Sequence, residues 1–224
     1  LEENIVRKAA RRRREDKVTT TVVLVRHGQT EWNRVERFRG RADVPLNATG
    51  EAQAEATGRR VAAAWQPAAV YASPLSRAVR TAEAVASRFG LPVIVHDGLL
   101  DIDYGLWQGL TPDEVRARWP SELDTWYQTP ERARIPGGET LDDLRLRGMA
   151  AVQELAAHHA GQTSVLVGHT VINRVILLAV LGLGHDRFWR IRQDTCAINV
   201  FEVQDGAFTL VSLNDTCHMH GLEV

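Results

Sequence analysis

The chain has 224 residues, enough for one sizeable hydrophobic core and too few for two ordinary domains. Its 27 basic and 28 acidic side chains leave a net charge of -1, which argues against a protein built to coat nucleic acid or a membrane surface and favours a small soluble partner. Cys196 and Cys217 stand apart, so neither a disulfide framework nor a four-ligand zinc site is expected, and both are read as free thiols in a reducing compartment.

Residues 1–17 read as a charged leader, expected to be helical. Arg11 to Arg14 are interleaved with acids and followed by no apolar stretch, which predicts no secretory signal. Lys8 and Lys17 are the only lysines, so every cation beyond the leader is arginine or histidine. The best membrane-span candidate, Val171 to Leu183, is interrupted by Asn173 and Arg174 and falls short of the roughly 18 apolar residues a span needs. A cytoplasmic protein is expected.

Val18 to Val25 is an apolar, β-branched run that reads as a buried strand and ends abruptly in Arg26-His27-Gly28. Thr49 is the expected N-cap of a helix running to Trp65, with Pro67 stopping it. A strand at Ala69 to Ala72 leads into Ser73-Pro74-Leu75-Ser76-Arg77, then a helix through Phe89 that Gly90 ends. Pro92 to His96 is the next strand. Thr111-Pro112-Asp113-Glu114 combines an N-cap, a proline and a glutamate in the pattern of a helix start, and a tryptophan-rich, irregular stretch follows. After Gly137-Gly138 come a helix from Thr140 to about His158, a strand at Thr163 to Val167 that runs into Gly168-His169-Thr170, and a helix over Val171 to Leu181. Ala197 to Val203 and Phe208 to Leu213 flank Asp205-Gly206 as a terminal hairpin.

This alternation predicts an α/β three-layer sandwich, a mostly parallel central sheet flanked by helices with the hairpin at one edge. One catalytic domain is expected over residues 18–224, with a lid-like insertion at about 106–136. Loops leaving the carboxyl ends of such strands form the ligand crevice. Three of them carry unusual residues: Arg26-His27, Ser73 to Arg77, and Gly168-His169. A phosphate monoester is dianionic and resists anionic nucleophiles, so neutral imidazole suits the attack. Arg26 and Arg77 can each grip phosphoryl oxygens through a planar donor fork, and His169 adds a cationic or hydrogen-bonding group. Cys217-His218-Met219-His220 has no second ligand group near it in sequence, and no metal is expected.

Arg26-His27-Gly28-Gln29-Thr30-Glu31-Trp32-Asn33, Arg39-Gly40, Asp43-Val44-Pro45-Leu46-Asn47 with Thr49-Gly50, Ser73 to Ala78 with Thr81-Ala82, and Gly168-His169 together resemble the histidine phosphatase superfamily. That family includes the cofactor-dependent phosphoglycerate mutases and many broad-range phosphatases, and the resemblance covers Val18 to about His218. It implies a phosphoglycerate mutase-like fold in which His27 becomes phosphorylated while Arg26, Arg77 and His169 surround the phosphoryl group. Asn33 would hydrogen-bond that group, and Thr30, Arg39, Gly40 and Thr170 would lie near the substrate. Asp101 stands where the family usually has a glutamate acid. Asp103 is its competitor, although an alternating backbone points it to the other side. Mutases of the family begin a basic segment at the acid with a glutamate-arginine pair, which this chain lacks. The implied activity is therefore hydrolysis of small-molecule phosphate monoesters with neither metal nor cofactor. A cofactor-dependent phosphoglycerate mutase and a catalytically inert phosphate-binding module remain as alternatives, and a homodimer is compatible with all three.

Overall fold

The computed structural model describes residues 18–222, so the charged leader lies outside the described residues. In chain order the elements are β1 (Thr20–Arg26), α1 (Glu31–Arg34), α2 (Ala48–Ala64), β2 (Pro67–Ala72), α3 (Ser76–Ala86), β3 (Val93–Val95), α4 (Pro112–Arg118), α5 (Pro120–Gln128), α6 (Leu141–His158), β4 (Thr163–Gly168), α7 (Thr170–Val180), β5 (Ile198–Gln204) and β6 (Ala207–Asp215). The six strands form one sheet in the order β3-β2-β4-β1-β5-β6. The first four are parallel; β5 runs antiparallel to β1 and pairs with β6 as the expected hairpin.

Both faces of the central strands are buried, which is why they read as continuous apolar runs rather than alternating ones. Val22, Leu24 and Leu166 face a core shared with α6 and α7. Val23, Val25, Val165 and Val167 face a second core under α2 and α3. These are the three layers predicted. Among the described residues no helix is long and apolar enough to cross a membrane.

Several element boundaries differ from the sequence reading. The first strand starts at Thr20 and leaves Val18 exposed. Asn47, not Thr49, caps α2: its side chain accepts the Gly50 N–H at 2.8 Å, which starts the helix two residues earlier. Helix α3 stops at Ala86, and the chain turns through Phe89 to Gly90, whose positive φ of 65° completes the turn. The helix expected from Thr111 is α4, and the stretch expected to be irregular after it instead holds α5; both have proline in the first turn and they meet at Trp119.

The amino end of α2 lies directly on the loop after β1. The Asn47 N–H donates to the Gln29 carbonyl at 3.0 Å and Gln53 accepts the Gln29 N–H at 2.8 Å. A Cβ on Gly50 would collide with the Gln29 carbonyl. Gly50→Ala should therefore cost about 1–3 kcal/mol as an overpacked contact. It would appear as a lower urea midpoint at unchanged slope, accompanied by reduced turnover because the displaced loop carries His27.

Candidate active site

The parallel register brings the unusual loop residues together. Arg26 pairs with Gly168 across β1 and β4, and Ala72 pairs with Val167 across β2 and β4. The ladder continues one residue further: the His27 N–H donates to the Gly168 carbonyl at 3.0 Å and the Ser73 N–H to the Val167 carbonyl at 3.0 Å. His27, Ser73 and His169 thus sit side by side just past three adjacent strand ends. All three are buried, and the two imidazole centroids are 5.0 Å apart.

His27 Nδ1 lies 2.6 Å from the Gly28 carbonyl oxygen. A carbonyl only accepts, so Nδ1 carries the proton and the lone pair of neutral imidazole resides on Nε2. Burial, and then the positive charges of Arg77, His169, Arg26 and Arg39, hold the His27 pKa well below its usual 6.5. Burial first, and then Arg77, Arg39, Arg26 and Arg147, depress the His169 pKa as well. Its Nε2 is 2.7 Å from Ser73 Oγ.

Each flanking arginine is anchored by carbonyls. Arg77 donates from Nη1 to Ala42 O at 2.7 Å and from Nη2 to Gly40 O at 2.9 Å, and Arg26 donates from Nη1 to Gln193 O at 2.6 Å. The Nε atoms of both arginines, His169 Nδ1 and Thr170 Oγ1 are buried polar atoms with no protein partner. Orphaned polar atoms cost about 1–3 kcal/mol each, and a cluster of them is physically sensible where an anion is to be bound. Asn33 Oδ1 accepts from both Thr30 N–H and Thr30 Oγ–H at 2.9 Å, which turns its amide N–H donors outward. Thr30, expected near the substrate, is fully buried and supports Asn33 instead.

Asp101 is buried and accepts the Ile172 N–H at 3.3 Å. Burial raises its pKa, against the opposing pull of Arg77, the Ile102 and Ile172 amides and Arg39. It lines a cavity of about 380 Å³ together with Asn33, Arg39, Gly40, Tyr104, Thr170 and Arg174. Asp103 points elsewhere, into a contact with Arg41 at 3.4 Å.

A family model described as the histidine phosphatase superfamily, branch 1, matches residues 22–216. The chain belongs to the histidine phosphatase superfamily. It is 32% identical over 198 residues to phosphoserine phosphatase 1 of Hydrogenobacter thermophilus, covering 88% of this chain and 93% of that one. A metal-independent phosphoserine phosphatase of Arabidopsis thaliana is 32% identical, covering 88% and 82%. The solved structure of Bacillus stearothermophilus YhfR superposes with a TM-score of 0.85 at 32% identity, over 89% of this chain and 99% of that one. The chain also matches mycobacterial relatives, of whose length it spans 54%. This histidine phosphatase is a phosphoric monoester hydrolase, as its phosphatase relatives are.

The sequence pattern did not reveal the groups that hold this histidine phosphatase's Asp101 loop in place. Arg147, on α6, donates to the carbonyls of Gly98 at 3.1 Å, Leu100 at 2.8 Å and Asp101 at 3.2 Å. Glu139 pairs with Arg147 at 3.0 Å, accepts the Asp103 N–H at 2.9 Å and reaches Arg41 at 2.9 Å. Gly105, at φ 47°, lets the loop lie flat on residues 136–138, where a Cβ would strike the Pro136 carbonyl. The one local hint was Glu139 following two glycines; the rest is contact between distant segments. Arg147→Met should free the loop and cut turnover of alkyl phosphates by on the order of a hundred-fold, the scale of an ångström-level misplacement. Steady-state kinetics would show it as a fall in kcat, larger for alkyl than for aryl esters if Asp101 protonates the leaving oxygen.

Proposed function

We propose that this phosphatase works through a phosphohistidine on His27, with Asp101 as general acid and base, acting on small soluble phosphate monoesters. The observation that carries the reading is the His27 Nδ1–H bond to the Gly28 carbonyl, which leaves Nε2 as a neutral, correctly protonated nucleophile among arginines. In the first step the Nε2 lone pair attacks phosphorus in line, the bond from phosphorus to the ester oxygen breaks, and the Asp101 proton goes to the departing alkoxide. In the second, Asp101 as carboxylate takes a proton from water, that water attacks phosphorus, and the nitrogen–phosphorus bond breaks to release inorganic phosphate.

Arg26, Arg77, Asn33 and Thr170 supply donors for the phosphoryl oxygens. Ser73 donating its hydroxyl proton to His169 Nε2 sets the proton on His169 Nδ1, the nitrogen without a protein partner, as another donor. Losing one such donor costs on the order of a hundred- to a thousand-fold in kcat. Residues 18–224 act as one catalytic domain in this reading, with the helices of 106–136 as the wall over the leaving group. The enzyme is cytoplasmic, its partner is a phosphorylated small molecule, and a homodimer is compatible with it. The phosphoserine phosphatases among its relatives support a small alcohol as the product.

Rapid quenching with labelled ester should trap an acid-labile, base-stable phosphoenzyme that His27→Ala lacks; an undiminished yield in that variant would overturn the assignment. Release of phosphate should need no added bisphosphoglycerate, and a strict requirement for it would move the reading to a mutase. The pH profile follows from the two shifts. Neutral His27 is lost only as pH falls through its depressed pKa, below 6.5. Protonated Asp101 is lost as pH rises through its raised one. Asp101→Asn should remove the high-pH limb and slow alkyl esters by on the order of a hundred-fold or more, while sparing aryl esters with good leaving groups.

A further inference from the structure

Arg174 interrupts the most apolar helix of the chain, and nothing in the two chemical steps above uses it. Its guanidinium carbon lies 5.1 Å from the ring centroid of Phe188 and 5.1 Å from that of Trp189. Its Nε is buried without a partner, and among the described residues its side chain makes no hydrogen bond and no ion pair. A partly buried guanidinium without an acceptor is costly, and cation–π contact with two rings set at 83° to each other holds it in place while leaving its N–H donors free. That arrangement suits a planar, two-oxygen anion that arrives with the ligand.

The position of Arg174 says which part of the ligand that is. It lines the cavity with Asp101, Tyr104, Thr170 and Trp189, whereas His27, Arg26, Arg77 and His169 do not contribute to that lining. The cavity therefore opens beside Asp101, running from Asn33 and Thr170 to Arg174 and Trp189, and in the proposed reaction its outer part receives the departing alcohol. Arg37 and Arg39 also reach it, but their Nη1 atoms are spent on the carbonyls of Gly109 at 2.6 Å and Trp32 at 2.9 Å. The sequence offers no arginine beside Asp101, but a helix more than seventy residues later brings one into the same cavity. Tyr104 adds a neutral hydroxyl, kept protonated by burial and by Asp101.

We propose that Arg174 anchors a carboxylate on the leaving alcohol, so that the enzyme prefers phosphate esters of small hydroxy acids to those of neutral alcohols of the same size. The proposal rests on the reading that Asp101 protonates the leaving group from this cavity.

Two esters that differ only in the group concerned test it: 3-phosphoglycerate, with a carboxylate, and glycerol 3-phosphate, with a hydroxymethyl in its place. Wild-type kcat/KM, read as phosphate release, should favour the carboxylate by at least about ten-fold. Arg174→Met should lower kcat/KM for 3-phosphoglycerate by on the order of a hundred-fold, chiefly through KM, and bring the ratio of the two esters close to one. Arg174→Lys should restore part of the preference. Wild-type indifference to the carboxylate, or equal losses on both esters in Arg174→Met, would overturn the proposal, the second result assigning Arg174 to the phosphoryl group or to the fold. Calorimetric binding of the same esters to His27→Ala, with and without Arg174→Met, reads the anchor without turnover. A selective loss there with no phosphoenzyme in the wild type would sink the catalytic reading and spare the anchor, whereas an unchanged ratio would sink the anchor alone.

Discussion

The site depends on the parallel pairing of β4 with β1 on one side and β2 on the other. The His27 and Ser73 amides donate to consecutive carbonyls of β4, which carries the second histidine one residue on. Neighbouring strands stand only about 4.8 Å apart, so three residues just past their ends must crowd together. The imidazole separation of 5.0 Å is that strand spacing expressed in side chains.

Crowding sets the electrostatics. Two histidines and four arginines, Arg26, Arg39, Arg77 and Arg174, share a region in which Asp101 is the buried carboxylate. Desolvation and mutual repulsion push the imidazoles toward neutrality, the form a nucleophile needs, while arginine keeps its charge because its intrinsic pKa is so high. The same burial raises Asp101 toward the protonated form, although the arginines pull the other way. One environment thus pushes the imidazole toward its neutral form and the carboxyl toward its protonated form.

What could be read from the residues was what depends on short-range order. The apolar runs before Arg26 and Gly168 announced strands buried on both faces, and the breaks after them marked the crevice. The Thr111 to Glu114 pattern announced a helix and the structure has one. Asn47 and Thr49 are both competent caps, and the loop lying on α2 decided between them, which local pattern does not report. Helix α5 was hidden because Pro120 follows directly on the end of α4. Arg174 was visible only as a flaw in an apolar stretch; its meaning comes from Phe188 and Trp189, brought over it by a turn of the chain. The clamp of Arg147 and Glu139 joins three segments far apart in sequence, and periodicity carries no trace of such contacts.

The backbone of His27 is held from both sides, its N–H by β4 and its carbonyl by the Cys196 N–H at 3.2 Å, where Cys196 adopts a φ of 54° to make the reach. A nucleophile tethered this way has only its side-chain torsions left, and the Gly28 bond restrains those. In the proposed reaction, travel therefore falls to phosphorus, which moves toward a stationary nitrogen as the alcohol departs. Because Arg174, Trp126 and Trp189 of the cavity belong to other segments, substitutions there would, on the proposed mechanism, retune which alcohol departs while the attacking atom stays where it is.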